Sequence, residues 1–268
     1  TRQGDVKANL ENARQSLSSI LLQDKRARVI HVEHFLATLF AYGIDNAIVR
    51  LTRLPTRSFK ILKALNLATG IEVVPVSCNR ELTLCRKIEE AGLQSQKKRR
   101  TYLHVESFET EMLQFYPIES GLVVKATTDY PQVGEQTAEF EITPENYRDK
   151  LSRSRMYVKH LPKWVPRWLG SLGASLAYPN FGLSHGFSEE TIFLPPKTAT
   201  EWYAREILPN EIARHTIVDR LGAIALLNGR LDKCKVIARY SGHANDISVL
   251  REINKERYFL SRRTDRKP

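Results

Sequence analysis

The sequence predicts an α+β protein, because its strand patterns and helix patterns come in blocks rather than in strict alternation. Residues 101–130 show the alternation and turn residues of antiparallel strands, whereas segments on both sides show apolar residues at helical spacing. The polar, charged run LQSQKKRR indicates a domain boundary near residues 93–100. A chain of 268 residues is long enough for two cores. We therefore place a first α+β domain at 1–97, a second at 98–262 and a basic tail at 263–268.

The first half predicts three helices and one strand. ARVIHVEHFLATLFAYG (27–43) has apolar residues at helical spacing and stops at Gly43, a favourable helix terminator. DNAIVRLTRL (45–54) has the short apolar run of a strand. SFKILKALNLATG (58–70) and RELTLCRKIEEAG (80–92) predict two further helices that each end at a glycine.

The second half predicts three helices and one more strand after the strands of residues 101–130. TPENYRDKLSRSRMY (143–157) begins a helix, with Thr143 as the N-cap and a proline at the first helical position. Residues 161–200 are rich in Pro, Gly and Trp and predict a long irregular segment. The remaining predictions are a helix over 202–229 broken near Pro209, a strand over 233–242 and a helix over 247–260.

The composition narrows the function classes. A formal net charge of +11 favours a polyanion, an anionic membrane surface or a phosphorylated substrate as partner, with a generic basic surface as the alternative. No motif of a nucleic-acid-binding fold accompanies the basic runs, so evidence for nucleic acid is weak. No stretch approaches 18 apolar residues, and the first residues do not resemble a signal peptide. Three cysteines without CxxC spacing favour inert thiols in a reducing compartment, with a catalytic cysteine as the alternative.

Three short patches carry residues able to do chemistry. In RHTIVD, His215 and Asp219 lie one helical turn apart, which suits two ligands of one metal, although a buried hydrogen bond or a solvated pair explains the spacing too. In HVEH, His34 offers a third ligand and Glu33 a base. In YSGHAND, we expect a loop to project His243, either as a proton donor or without a role.

These patches, in this order, resemble the UDP-3-O-acyl-N-acetylglucosamine deacetylase family, the zinc amidases of lipid A synthesis. The resemblance runs from about residue 10 to about residue 255. Its motifs are VEHFLATLFAYGIDNAIV (32–49), KLSRSRMY (150–157), GLSHGFSEETIFL (182–194), NEIARHTIVDRLGAIALLNG (210–229) and VIARYSGHAND (236–246). The first and the last two of these motifs are the most specific.

The resemblance implies a site, a fold and a setting. The fold it implies has two α+β domains, each with helices on a mostly antiparallel sheet, and with the helix layers facing each other. It implies an acylated UDP-amino-sugar as substrate, and a cytoplasmic protein in peripheral contact with the anionic inner membrane surface. Nothing in the sequence indicates an oligomeric state. The implied site comprises Zn²⁺ ligands (His34, His215, Asp219), a general base (Glu33), a histidine that assists collapse of the tetrahedral intermediate (His243) and substrate-binding residues (Thr216, Tyr157).

The sequence departs from the family pattern around the implied site. Met156 replaces a carbonyl-polarising threonine, Thr216 a lysine, and Ala223 an aspartate that supports the catalytic histidine. The family's MDGS stretch is degraded to LPTRS (54–58), and its N-terminal strands with a Gly-Leu-His motif are missing. These departures leave open a non-catalytic homologue that serves as a binding or regulatory module. The net charge of +11 and the basic runs leave open a basic binder of nucleic acid or membrane.

Overall fold

Helices and sheets combine as predicted, which confirms the α+β class. The computed structural model describes residues 4–16, 19–25, 27–51, 72–74, 78–97, 100–130, 133–158, 191–193, 208–227, 229–240, 243–255 and 259–263. Within these ranges, none of the helices is long and apolar enough to cross a membrane. The division of the chain into two domains at residues 97 and 98 stays a prediction.

The N-terminal residues form a sheet that the sequence pattern did not indicate. Its strands, in sheet order, are β1 (Ala13–Ser16), β2 (Ser19–Gln23), β3 (Arg28–Ile30) and β4 (Glu72–Val73). The first three are antiparallel, and β4 runs parallel to β3. In β1 to β3 each strand buries only one or two apolar side chains, among them Ala13, Ile20 and Ile30, so the alternation is too short to recognise.

Two helices of the first half agree with the sequence prediction. α1 (Glu33–Ala41) follows β3 after two residues and ends near Gly43, which has φ of +70°. α2 (Cys78–Ala91) ends at Gly92, also with φ of +70°. The strand predicted over 45–54 is wrong for 45–51, which form no strand. Ile48 is 92% exposed there, whereas Leu51 is partly buried against the core. Residues 52–54 and the helix predicted over 58–70 lie outside the described residues.

A five-stranded sheet carries the core of the second half. Its order is β6 (Phe108–Glu109), β7 (Leu113–Pro117), β13 (Cys234–Arg239), β8 (Leu122–Tyr130) and β9 (Gly134–Glu141). Every pairing is antiparallel except that of β13 with β8. Alternate residues of its central strands are buried, including Phe115, Val124 and Val236, which confirms the strand prediction for this block.

Smaller sheets complete the described part of the chain. β5 (Thr101–Val105) lies between β12 (Arg230–Leu231), which is parallel to it, and β14 (Phe259–Arg263), which is antiparallel to it. A parallel pair joins β10 (Met156–Val158) to β11 (Thr191–Phe193). The strand β11 lies in the segment predicted to be irregular, most of which falls outside the described residues.

The helix predicted from Thr143 is shorter than expected. The Thr143 side chain accepts a hydrogen bond from the Asn146 amide at 3.1 Å, which confirms it as the N-cap of α3 (Pro144–Asn146). A π-helical turn (Tyr147–Leu151) follows and ends the helix. The end of the quoted stretch is not helical, because Met156–Val158 pair as a strand with β11.

The last two helices differ in how they meet the prediction. α4 (Glu211–Ile224) is buried on nearly every face and lies within the helix predicted over 202–229. Residues 202–207 of that prediction lie outside the described residues. α5 (His243–Lys255) begins at His243, so the expectation of a loop at this residue was wrong. The predicted end of that helix was wrong as well, since Phe259 and Leu260 pair with β5 as part of β14.

α1 and α4 cross at unusually short distance, and this crossing brings the two halves of the sequence pattern together. A Cβ placed on Gly222 of α4 would lie 2.6 Å from the carbonyl carbon of Glu33 in α1. Only glycine allows the backbones to come so close. A buried ion pair between Arg220 and Asp246 then joins α4 to α5. α1 of the first half and α4 of the second half are thus in direct contact, while the arrangement of two facing helix layers stays a prediction.

Candidate metal centre

Three of the residues predicted as metal ligands lie together where α1 crosses α4. The ligand atoms of His34, His215 and Asp219 are all within 4.8 Å of one another, and all three residues are buried. Nε2 of His34 and Nε2 of His215 each lie 3.5 Å from Oδ1 of Asp219. The two imidazole rings have centroids 4.7 Å apart. Residues separated by about 180 positions in the sequence thus form one cluster.

The local sequence explains how each ligand reaches the cluster. His34 is in the first turn of α1, and His215 and Asp219 share one face of α4 because they are four residues apart. The buried pair Arg155–Glu211 fixes the start of α4, since the guanidinium donates to both carboxylate oxygens at 2.8 and 3.0 Å.

Hydrogen bonds at the far nitrogen of each ring set the orientation of the two histidines. Nδ1 of His34 lies 2.7 Å from Oε1 of Glu81, and Nδ1 of His215 lies 3.3 Å from the carbonyl oxygen of Ser154. Both partners are acceptors, so Nδ1 carries the proton in each ring. The lone pair of a neutral ring is then on Nε2, which faces Asp219. Metal-bound histidines commonly show this arrangement.

The electrostatics of the cluster favour a cation. Burial opposes the charged form of His34, but the carboxylates of Glu81 and Asp219 outweigh it and raise the pKa of His34 well above its usual value. Burial also raises the pKa of Glu81, against the opposing influence of His34. Two carboxylates and two imidazoles in one buried place therefore create a strongly negative environment that a proton or a metal ion stabilises.

The geometry suits a tetrahedral ion bound by two nitrogens and one oxygen. Zinc binds imidazole and carboxylate at about 2.0–2.1 Å, so neighbouring ligand atoms of a tetrahedral site lie about 3.3 Å apart. The two distances of 3.5 Å between imidazole nitrogen and carboxylate oxygen are close to this value. Three protein ligands leave one position open, as in catalytic rather than structural zinc sites.

Glu33, the predicted base, immediately precedes His34 in the first turn of α1. Its side chain is buried, and its Oε2 accepts a hydrogen bond from the Ile20 amide of β2 at 3.0 Å. Its Oε1 lies 3.8 Å from Nδ1 of His31, a buried histidine with φ of 62°. The carboxylate is therefore held from one side by the N-terminal sheet, in a place where solvent does not compete for it.

The other predicted site residues are described less completely. His243 is the first residue of α5 and Tyr157 is in β10, but the side chains of both lie outside the described part of the chain, as does that of Met156. Thr216 is buried, and its hydroxyl donates to the carbonyl of Ile212 at 3.0 Å within α4. Ala223 is buried in the same helix. The LPTRS stretch lies outside the described residues. The roles of these residues stay predictions.

Sequence reasoning missed Glu81 as a neighbour of the cluster. A signal was present, because Glu81, Cys85 and Ile88 follow the i, i+4, i+7 spacing of one helix face. Cys85 is buried and Ile88 packs against the core. A carboxylate on such an apolar stripe is unusual and needs a partner inside the protein.

Comparison with known proteins agrees with this geometry. The sequence model of the family described as UDP-3-O-acyl N-acetylglycosamine deacetylase matches residues 1–255. Proteins named UDP-3-O-acyl-N-acetylglucosamine deacetylase are similar over much of the chain. The one from Aliarcobacter butzleri is 25% identical over 73% of this chain and 58% of its own length. The one from Neisseria meningitidis serogroup C (strain FAM18) is 26% identical over 88% of this chain and 70% of its own length. The one from Solibacter usitatus is 28% identical over 82% of this chain and 66% of its own length.

The family match covers both helices that form the cluster, and therefore includes every residue of the candidate site. The chain spans about three fifths to seven tenths of the length of these relatives. Because the match extends over most of the chain, this protein belongs to the UDP-3-O-acyl N-acetylglycosamine deacetylase family.

Proposed function

We propose that this chain is a zinc-dependent amide hydrolase that removes the acetyl group from an acylated N-acetylglucosamine carried on UDP. The pathway we propose is lipid A biosynthesis or a related one. The observation that supports the proposal most is the convergence of His34, His215 and Asp219 in a chain that belongs to a deacetylase family.

In this proposal the three clustered residues hold Zn²⁺. The ion, when bound, supplies a Lewis acid that polarises a carbonyl oxygen and makes water more acidic. The ligands suit zinc because they combine two imidazole nitrogens with one carboxylate. Burial of all three keeps the local dielectric low, so that the charge of a bound ion would act strongly on a neighbouring carbonyl group.

Glu33 accepts the proton of the attacking water in the proposed reaction. It neighbours His34 in the sequence, and its Oε2 is held by the Ile20 amide. Since that hydrogen bond fixes one oxygen, the other is oriented toward a defined direction. His243 then donates a proton to the departing amine nitrogen, consistent with its place at the beginning of α5. We propose Thr216 and Tyr157 as substrate-binding residues.

The positive charge of the protein supports an anionic substrate and a location near an anionic membrane surface. An excess of 11 positive charges suits a substrate that carries a diphosphate and an acyl chain. We propose that the protein acts in the cytoplasm, in peripheral contact with the anionic inner surface of the membrane.

The alternative of a non-catalytic homologue is less favoured than an enzyme. It was motivated by the departures at Met156, Thr216 and Ala223. None of these three residues belongs to the cluster of potential metal ligands, which remains complete. Retention of a full ligand set beside a buried carboxylate is expected if chemistry is retained.

Substitution of Glu33 by Gln tests the proposed reaction. The amide can still accept the hydrogen bond from Ile20, so the fold and the metal ligands should persist. Loss of the base should lower turnover by about 10²–10⁴-fold. We suggest measuring release of acetate from acylated UDP-N-acetylglucosamine together with zinc content. Glu90→Gln, on the exposed face of α2, is the matched control and should change neither value.

Full activity of Glu33→Gln with unchanged zinc would contradict the role of Glu33. Absence of turnover by the unmodified, zinc-loaded protein on this substrate would contradict the proposed deacetylation itself.

A further inference from the structure

Glu81 is a buried carboxylate of α2 that contacts a residue of the candidate metal centre without belonging to it. We propose that Glu81 is a positioning residue, which orients the imidazole of His34 and increases its strength as a zinc ligand. This inference rests on the proposed metal centre.

The contact has the geometry of a strong hydrogen bond. Oε1 of Glu81 lies 2.7 Å from Nδ1 of His34, and each side chain is only 6% exposed. A hydrogen bond to an ionised acceptor is about twice as strong as one between neutral groups. No described residue offers a hydrogen bond to the other oxygen, Oε2. His34 is therefore the main polar partner of this carboxylate within the described part of the chain.

The place of Glu81 relative to His34 is fixed by the packing of α2 on α1. Cys85, one turn after Glu81, is fully buried. Farther along α2, Glu89 accepts a hydrogen bond from the hydroxyl of Tyr42, just past the end of α1, at 2.6 Å. Contacts eight residues apart on α2 span about 12 Å at 1.5 Å per residue. Two such anchor points keep α2 from sliding or rotating against α1.

Further hydrogen bonds support the same histidine from its backbone. The Thr38 hydroxyl donates to the carbonyl oxygen of His34 at 3.0 Å. The hydroxyl of Tyr147, a residue of the π-helical turn, lies 2.9 Å from the hydroxyl of Thr38. Both residues are fully buried. The backbone of His34 is thus held in place, and Glu81 sets the rotation of its ring about the side-chain bonds.

Glu81 does not serve as a ligand of the same ion. Its carboxylate is bonded to Nδ1, whereas Nε2 of the same ring faces Asp219. The two ring nitrogens point in different directions, so an atom bonded to one cannot reach an ion on the other. A carboxylate at Nδ1 raises the basicity of the ring and holds it with Nε2 toward the metal.

The two histidines are supported unequally. Nδ1 of His215 donates instead to the carbonyl oxygen of Ser154 at 3.3 Å, which is a longer hydrogen bond to an uncharged acceptor. Loss of the Glu81 carboxylate should therefore weaken one ligand strongly and leave the other unchanged. Removing such a partner typically lowers metal affinity by about 10–100-fold.

Zinc affinity of the full chain, measured by competition with a chelator, tests this inference. We expect Glu81→Gln and Glu81→Ala to bind zinc about 10–100-fold more weakly than the unmodified protein. Glu81→Asp keeps the charge and should recover part of the loss. The visible spectrum of the cobalt-loaded protein should change in the Gln variant, because the bonding of one imidazole ligand changes. Glu90→Gln, on the exposed face of the same helix, is the matched control and should keep the affinity and the spectrum.

Thermal unfolding of the metal-free variants shows whether a loss of zinc affinity comes from a loss of folding. Glu81→Gln is used because its side chain has nearly the same shape, so the variant should remain folded. Zinc affinity and a cobalt spectrum equal to those of the unmodified protein, in a folded Gln variant, would overturn the role of Glu81 while leaving the metal centre intact. Failure of the unmodified protein to bind zinc would instead contradict the proposed function, and this inference with it.

Discussion

At the scale of residues, the candidate centre depends on polar side chains that are almost completely removed from water. Two imidazoles and a carboxylate converge, and a second carboxylate, Glu81, contacts one of the imidazoles. Burying such groups without compensation costs several kcal/mol, at the order of magnitude known for buried ions. A divalent cation offsets this cost, so we expect the bound metal to stabilise the folded state.

The cysteines give a prediction at the same scale. Burial raises the pKa of Cys85 to about 11 and that of Cys234 to about 12. The thiolate is the reactive form, so both residues should react with iodoacetamide at least about a hundredfold more slowly than an exposed thiol near neutral pH. Peptide mass spectrometry of the alkylated native protein measures this for each cysteine.

Protein unfolded in denaturant is the control, and there both thiols should react at ordinary rates. Rapid alkylation of Cys85 or Cys234 in the native protein would show that their burial is wrong.

At the scale of elements, the candidate centre depends on the close approach of α1 and α4. His34 comes from α1, and His215 and Asp219 come from α4. Gly222, nearly one turn beyond Asp219, is the residue at which α4 meets the backbone of Glu33. The Arg220–Asp246 ion pair continues the contact to α5, which begins with His243. Three helices thereby place all the proposed ligands and both proposed acid–base residues.

Substitution of Gly222 by Ala tests the importance of this crossing. The added methyl group would lie 2.6 Å from the backbone of Glu33, so the helices must separate. Overpacking of this kind typically costs about 1–3 kcal/mol. We expect a lower free energy of unfolding for the metal-free protein and weaker zinc binding, measured by denaturant titration and chelator competition.

Gly229→Ala provides the comparison, because its added methyl group would meet the side chain of Leu103 at 2.8 Å, away from the helices. It should lower stability without lowering zinc affinity. Equal zinc affinity of Gly222→Ala and unmodified protein would argue against a centre built on the helix crossing.

At the scale of the whole molecule, the positive charge should produce binding to anionic surfaces. Each lysine or arginine close to such a surface contributes about 1 kcal/mol at most, and salt weakens the attraction. We expect cosedimentation with phosphatidylglycerol-containing vesicles at low salt, much less at high salt, and little with neutral vesicles. Ser in place of Arg266 and Lys267 should reduce the binding. Salt-independent or absent binding would contradict this setting.

The sequence predicted the clustering of His34, His215 and Asp219 better than it predicted the fold around them. His215 and Asp219 share a helix, so their spacing in the sequence fixes their geometry. Glu81 was missed because its neighbour His34 is 47 residues away, and a contact of that range depends on how α1 packs on α2. The N-terminal strands were missed because each is short and depends on its partners. The strand predicted at 45–51 failed because β-propensity alone supplies neither a partner nor a buried face.

The central claim is that His34, His215 and Asp219 hold one zinc ion between α1 and α4. Metal analysis of the purified chain, after zinc loading and removal of excess metal, tests it most directly. We expect about one zinc per chain in the unmodified protein, and the loss of nearly all of it in His215→Ala, because two remaining ligands bind weakly. His104→Ala, which changes a histidine of β5 outside the cluster, should retain the metal. Equal zinc content in unmodified protein and His215→Ala would contradict the account.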